Sequence, residues 1–394
     1  MTTIYLIRHA EAEGNIYRRI HGWYDSVITD NGYLQIKELE KRFSDIPIDA
    51  VYSSDLFRTK TTARALYLPK GLELQVDPGL REFNFGLWED LSWGEARRRD
   101  EAGLALFNAS SPLFQAPGGE RFADLGARME RTLQTIVKRH PGEAVAVFSH
   151  GTAIRQMVIG ALGIRPEDWH TRSHSDNTGV TELQWDGTRF YLLQEGDCSH
   201  LSPELSTLNR QAWWRKKASG TGDINLWYRP VNPEEEGETY LAARREAWTT
   251  VHGHGPLFDG EGFLRDAHTH AGRMEWGLTA AMAGERLAGV LQLDPQRYEE
   301  NNAGYIAFCY MTPETRAKAL GVQLIGQAVS VFRPMGREYL RLRCASYNEP
   351  AQRFYQRYGF YKIGVEQGNR VPLDILEKYI GYDYDKAQWR GNAT

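Results

Sequence analysis

Ile4-Tyr5-Leu6-Ile7-Arg8-His9-Ala10-Glu11 decides the reading of this chain. An apolar run of four residues ends in an Arg-His pair, so a buried strand delivers a guanidinium and an imidazole together at its C-terminal end. A second run, Ala144-Val145-Ala146-Val147-Phe148, ends the same way in Ser149-His150-Gly151. Two strands that each release a histidine at their ends, about 140 residues apart, are expected to build one composite site for a dianion and a nucleophile.

Between and around these strands, short apolar runs alternate with helical patterns. Asp30–Phe43 reads as a helix, Asp49–Tyr52 as a strand, and Thr59–Tyr67 as a helix with Ser54 or Asp55 as N-cap. Phe122–Arg139 reads as a long amphipathic helix. Such alternation predicts an α/β sheet with helices on both faces.

The chain has 394 residues, too many for a typical single domain. Around Trp213-Trp214, Arg215 and Lys216–Gly222 a basic cluster gives way to small residues, and a new strand opens at Asn225. The expected division is residues 1–205, a linker at 206–222, and a second domain at 223–390, with the boundary in Lys216–Gly222. Glu234-Glu235-Glu236 reads as the acidic first turn of a helix, favourable to its dipole.

Net charge is −4, with no basic stripe, which argues against nucleic acid and membrane surfaces as partners. Cys198, Cys309 and Cys344 are scattered and cannot all pair, as expected in a reducing cytoplasm. No charged-then-apolar signal segment opens the sequence, and no apolar run approaches the ~18 residues that span a bilayer.

Six ordered blocks give the first half a family resemblance. Arg8-His9-Ala10-Glu11 stands where the histidine phosphatase (phosphoglycerate mutase-like) superfamily has R-H-G-E. Asn15, His21-Gly22 and Asp25–Thr29 follow in family order, with His21 where Gln is common. Ser53–Thr59 with Thr62-Ala63, Leu80-Arg81-Glu82 with Gly86–Glu89, Pro117–Glu120 and Ser149-His150-Gly151 complete the set. Ala10 and Asp90 replace glycines of the pattern. The resemblance implies a three-layer α/β/α domain in which His9 is the nucleophile, Arg8, Arg58 and His150 hold the phosphoryl oxygens, and Glu82 is the general acid. Glu89, in the same block, is its rival. Asn15, His21 and Gly22 are implied as substrate contacts. Fixed cations would make a metal unnecessary, because guanidinium forks match phosphate geometry.

The second half resembles a GNAT-type N-acetyltransferase, an α+β domain. Arg316-Ala317-Lys318-Ala319-Leu320-Gly321 matches the R-x-x-G-x-G/A turn, with Ala319 for the first glycine. Asn348–Tyr355 through Gly359-Phe360 matches N-x-x-A-x-x-F-Y-x-x-x-G-F. The resemblance implies that acetyl-CoA lies on Met311, Thr312 and Arg316–Gly321, where helix N-terminal amides cradle pyrophosphate. Asn348 would contact the cofactor and Tyr355 protonate the departing thiolate. Ala319 is tolerable there if its dihedrals are helical. Glu275, Glu299 and Glu300 are candidate bases by type alone. His252/His254 and His268/His270 are expected to be loop or surface histidines.

A bifunctional cytoplasmic enzyme is therefore expected: a phosphatase for a small phosphate ester, joined to an acetyl-CoA-dependent acetyltransferase with an amine acceptor. Two alternatives stay open. The second domain could be an acyl-CoA-binding regulator, or the first could be a mutase. Gly119 follows Glu82 by only 37 residues, too short for the site-capping insertions of the mutases, which favours hydrolysis.

Overall fold

The computed structural model describes residues 1–172, 174–211, 224–253, 258–368 and 371–387. Two sheets organise them. The first has the order β3-β2-β4-β1-β5-β6, with β1 at Thr2–Arg8, β2 at Ala50–Ser53, β3 at Leu74–Val76, β4 at Ala144–Ser149, β5 at Val180–Trp185 and β6 at Phe190–Asp197. Strands β3, β2, β4 and β1 run parallel, while β5 and β6 are antiparallel. In the register of the two opening strands, Arg8 lies beside Ser149, so His9 and His150 leave the sheet side by side.

The pleat explains why both faces are covered. Ile4 and Leu6 point into one apolar cluster with Val145, Val147 and Leu133, while Ile7 joins Ala146, Phe148 and Leu66 on the opposite face. The first face packs α6 (Phe122–Arg139) and the second α2 (Asp30–Arg42) and α3 (Phe57–Tyr67). The other helices of this domain are α1 (Glu13–Tyr17), α4 (Trp93–Arg99), α5 (Glu101–Asn108), α7 (Gly151–Ala161) and α8 (Thr207–Arg210).

Two local expectations change. Helix α3 starts at Phe57, with Leu56 at the cap position and no side-chain cap, because Ser54 Oγ faces His150 Nε2 at 3.0 Å. Ser206–Gln211, assigned to the linker from sequence, is packed on the first domain. Ser206 Oγ donates to Asp176, Thr207 Oγ1 donates to Glu11 Oε2 at 2.9 Å, and Gln35 Nε2 donates to the Leu205 carbonyl at 2.7 Å. Trp213, Trp214 and the expected boundary at Lys216–Gly222 lie outside the described residues, as does His254.

The second sheet has the order β12-β13-β11-β10-β9-β8-β7, from β7 (Trp227–Pro230), β8 (Leu278–Ala283), β9 (Arg286–Asp294), β10 (Ala303–Met311), β11 (Tyr339–Ala345), β12 (Tyr361–Gln367) and β13 (Pro372–Tyr379). Its helices are α9 (Pro233–His252), α10 (Gly260–Arg273), α11 (Gly321–Phe332), α12 (Glu349–Arg357) and α13 (Tyr384–Ala387). Glu234–Glu236 occupy the first turn of α9. His270 is not a surface residue: it is buried on α10, with Nδ1 against Gln292 at 2.9 Å and Nε2 3.3 Å from Asp294. Its burial follows from facing β9, which the loop-like spacing of the histidines conceals. No helix among the described residues is long and apolar enough to cross a membrane.

The two sheets are joined by a buried polar seam. Tyr17 of α1 belongs to the apolar cluster of the second domain, and a Cβ on Gly326 of α11 would lie 2.5 Å from Tyr17 Cβ. Arg333, just beyond α11, donates to Glu13 Oε2 at 2.7 Å. Arg19 donates to Asp90 Oδ1 at 2.8 Å and to Gln327 Oε1 at 3.1 Å, while Ser330 donates to Asp90 Oδ2 at 2.5 Å.

Candidate active site

His9 sits at the end of β1, fixed at its backbone by Ser149, whose carbonyl accepts its N–H at 3.0 Å, and by Asn177, which donates to its carbonyl at 2.8 Å. Its Nδ1 lies 2.8 Å from the Ala10 carbonyl. A carbonyl only accepts, so Nδ1 carries the hydrogen and Nε2 is left with the free lone pair. Ala10 has no positive φ, which is why the alanine fits where the family pattern has glycine. The ring centroids of His150 and His21 lie 5.3 and 5.8 Å from that of His9. All three pKa values are lowered well below 6.5, by burial first and then by the nearby Arg58. His9 is thereby neutral at neutral pH.

Around His9 three buried donors have no hydrogen-bond partner: Arg8 Nε, Arg58 Nε and His150 Nδ1. An unmade hydrogen bond at one buried donor costs about 1–3 kcal/mol, so an anion that reaches these donors would be favoured. The rest of each group is anchored. Arg8 Nη1 donates to the Ser175 carbonyl at 2.5 Å, and Arg58 donates to the carbonyls of His21, Gly22 and Tyr24 at 3.0, 2.6 and 3.2 Å. Gly151 leaves room for Arg8, since a Cβ there would meet its Nε at 3.2 Å. At Gly22 a Cβ would stand 2.1 Å from the Phe83 carbonyl, so that glycine shapes the loop.

The two acidic candidates separate cleanly. Glu89 spends its carboxylate on backbone N–H groups of Gly22, Trp23, Tyr24 and Phe85 at 2.8–3.1 Å. It is a clasp for the loop that Arg58 also holds. Glu82 sits instead at the N-terminus of α7, accepting from Thr152 and Ala153 at 3.0 and 2.9 Å, one turn from His150. Asn15 closes the same end of the sheet, with Nδ2 3.4 Å from His21 Nε2 and Oδ1 accepting from Ala12 at 2.9 Å. His21 Nδ1 lies 3.1 Å from Ser26 Oγ.

Three supporting residues escaped sequence reasoning. Asp25, from a distant loop, accepts from the Phe57 N–H at the start of α3 at 2.5 Å and faces Arg58 at 3.3 Å. Asn177 holds His9, and Ser54 holds His150. Asp25 and Ser54 stood inside the quoted blocks, but no spacing rule connects them to their partners.

Residues 4–197 match the model of the histidine phosphatase superfamily (branch 1). The relatives bear this out. The "Probable phosphoglycerate mutase GpmB" of Escherichia fergusonii is 31% identical over 216 residues, covering 53% of this chain and 100% of that protein. The chain belongs to the histidine phosphatase superfamily. The protein of the same name from Serratia proteamaculans (strain 568) is also 31% identical over 216 residues, with the same coverage. Among solved structures, Bacillus stearothermophilus YhfR shares 32% identity with a TM-score of 0.50, covering 51% of this chain and 100% of its own. These relatives all answer to the phosphatase-superfamily half. Residues 234–360 match the model of the acetyltransferase (GNAT) family, so the chain fuses the two domain types in that order.

In the GNAT-type domain, β10 and β11 pair in parallel only from Ala303–Tyr339 to Ile306–Leu342, and β10 then bulges at Ala307 and continues against β9. Past the last parallel pair, Tyr355 of α12 is buried with its hydroxyl on the Cys309 thiol. Burial raises the pKa of Tyr355 well above 10, so it keeps its proton. Beyond Met311 and Thr312 the chain turns through Arg316–Leu320 into α11, whose cap position, Leu320, supplies no side-chain bond. Those first amides face no capping side chain, as an anion cradle requires. Two features depart from expectation. Ala319 is not helical: it and Ala317 both have φ of +57°, the left-handed region in which a β-carbon is strained. Arg316 turns back, donating from Nε to the Met311 carbonyl at 2.9 Å and pairing with Glu246 of α9. Asn348 accepts from Ala351 at 3.4 Å as the cap of α12. Glu299, one of the candidate bases, pairs with Arg337 at 2.6 Å.

Proposed function

We propose that the first domain is a phosphatase that hydrolyses a small phosphate monoester through a phosphohistidine at His9. The observation that carries this reading is the ring of unpartnered buried donors, Arg8 Nε, Arg58 Nε and His150 Nδ1, around a histidine whose lone pair is on Nε2. In the first step His9 Nε2 attacks phosphorus in line, the P–O bond to the alcohol breaks, and Glu82 gives its proton to the departing oxygen. In the second, Glu82 takes a proton from water, which attacks phosphorus and releases His9. Arg8 and Arg58, charged, and His150, neutral, hold the phosphoryl oxygens throughout, and the two guanidinium charges are already in place before the reaction.

Hydrolysis is favoured over mutase action by the path of the chain after Glu82. Phe83, Phe85, Trp88, Leu104 and Phe114 are buried in the core beneath α6, so this segment fills the interior instead of capping the site. Incubation with a phosphoglycerate, followed by phosphorus NMR, tests both points: free phosphate supports the reading, whereas an isomerised ester without phosphate overturns it. His9→Ala should abolish turnover, and a rate near wild type would remove His9 from the mechanism.

For the second domain the reading is an acetyl-CoA-dependent N-acetyltransferase, with the amides at the start of α11 holding pyrophosphate and Tyr355 protonating the thiolate. A second reading, in which acyl-CoA regulates the phosphatase, has its own support. Helix α11 starts at the candidate pyrophosphate turn, and Arg333 just beyond its other end binds Glu13, two residues before Asn15. Calorimetry with acetyl-CoA, an amine-acceptor screen and phosphatase rates with and without CoA separate the two: transfer supports the enzyme, binding with a changed rate and no transfer supports the regulator.

A further inference from the structure

Past β13 the chain crosses from the second domain onto the first. Tyr384 stacks on Phe57, with ring centroids 4.6 Å apart and planes 17° apart, and Tyr382 meets the same ring at 5.6 Å. Phe57 is buried and immediately precedes Arg58, so the second domain covers the start of the helix that carries a phosphoryl-binding guanidinium. The Tyr382 hydroxyl also donates to the Asp25 carbonyl at 2.9 Å.

Asp25 belongs to the loop that aims Arg58. The Nη atoms of Arg58 donate to the carbonyls of His21, Gly22 and Tyr24 and to the Asp25 carboxylate, which leaves Nε as the unpartnered donor beside His9. A guanidinium is planar, so one held through both Nη atoms points its Nε wherever the loop sends it. The loop is held from two sides. Glu89 of the first domain accepts from the N–H groups of Gly22, Trp23 and Tyr24. The second domain holds the opposite side, through Tyr382 on the Asp25 carbonyl and through Arg333, which donates to the Tyr24 hydroxyl at 3.3 Å. Arg333 also steadies Tyr382: it donates to the Ile380 carbonyl at 2.7 Å, and its guanidinium carbon lies 5.1 Å from the Tyr382 ring.

From this geometry we propose that the second domain completes the phosphoryl pocket of the first, with Tyr382 as a positioning residue that sets the aim of Arg58 through Asp25. The inference rests on the phosphatase reading and goes beyond it, because a residue of the GNAT-type domain then governs the rate of phosphate release. Tyr382 meets no reacting atom. Without its hydroxyl the Asp25 carbonyl loses its hold on the second domain, the loop shifts, and Arg58 Nε shifts with it.

Tyr382→Phe tests it, since it deletes the hydroxyl and keeps the ring. In the full chain, kcat/KM for p-nitrophenyl phosphate should fall about two- to tenfold, the size of one hydrogen bond, with the melting temperature unchanged. A double-mutant cycle supplies the readout that a merely structural role would not move. In an Arg58→Lys background the flat, doubly held guanidinium is gone, so Tyr382→Phe should cause no further loss. A Tyr382→Phe rate equal to wild type, or losses that multiply independently in the cycle, overturns the proposal. If wild type releases no phosphate, the phosphatase reading fails instead, and the aim of Arg58 is read directly by NMR. Its Nε–H resonance, assigned by its absence from Arg58→Lys, should shift in Tyr382→Phe; an unmoved resonance overturns the proposal.

Discussion

Asp90 offers a quantitative test of how the two domains are joined. It occupies a position where the superfamily pattern has glycine, and its φ is +61°, so the backbone there is left-handed. That conformation costs an ordinary residue roughly 1–2 kcal/mol, and somewhat less for aspartate. The structure shows what offsets it: the carboxylate accepts from Arg19 at 2.8 Å and from Ser330 of the second domain at 2.5 Å. Asp90→Ala removes both bonds and keeps the strain. Removing one partner of a buried pair costs about 3–5 kcal/mol, reduced here because Arg19 retains Gln327, Ser330 and the Asp90 carbonyl as acceptors. A loss of about 2–3 kcal/mol is expected. Asp90→Gly loses the same bonds but relieves the strain, less the roughly 0.5–1 kcal/mol of extra entropy that glycine gains when unfolded. It should therefore be more stable than Asp90→Ala by about 0.5–1 kcal/mol, yet less stable than wild type. Urea unfolding of the full chain, followed by tryptophan fluorescence, reads both differences. If Asp90→Ala equals or exceeds Asp90→Gly, or if both match wild type, the backbone argument and the interface argument fail respectively.

Ala319→Gly should relieve the left-handed strain at the GNAT turn, raising stability by about 0.5–1 kcal/mol in the same urea assay; no change would mean the turn relaxes without it. Arg333→Met leaves Glu13, 2% exposed in its side chain, with Lys378 at 3.6 Å as its remaining cation, and should cost about 2–4 kcal/mol. The buried histidines set a pH dependence. Folded pKa values lowered below 6.5 mean that the unfolded chain binds more protons below that pH, so stability should fall as pH drops from about 6.5 toward 4, with His200 (about 4) and His174 (about 3) contributing. The slope approaches 1.4 kcal/mol per pH unit for each histidine, and flat unfolding midpoints across that window would refute it. In the folded state, the ring resonances of His9, His21 and His150 should not titrate between pH 8 and 6 by NMR.

Much of the site was legible because its parts sit on strong local signals. The apolar runs before Arg8-His9 and Ser149-His150 mark strands, and a strand end has one direction, so the histidines converge once the strands pair. Helix Phe122–Arg139 was bounded by its own amphipathic pattern and matches the structure residue for residue. Where sequence reading went astray, a partner distant in the chain had intervened. Ser54 looked like a helix cap, but His150 claims its hydroxyl from 96 positions away. His270 looked like a surface residue until β9 packed over it.

The sequence by itself determined the domain types and the strand ends that carry His9 and His150, because these depend on residue chemistry and short-range periodicity. Only the tertiary structure decided that Glu82 lies at the start of α7 while Glu89 clasps a loop, that Ala319 is left-handed, and that Arg155 is buried. Each of these depends on what a side chain finally faces, and desolvation and hydrogen-bond satisfaction are properties of the packed chain, not of its order of residues.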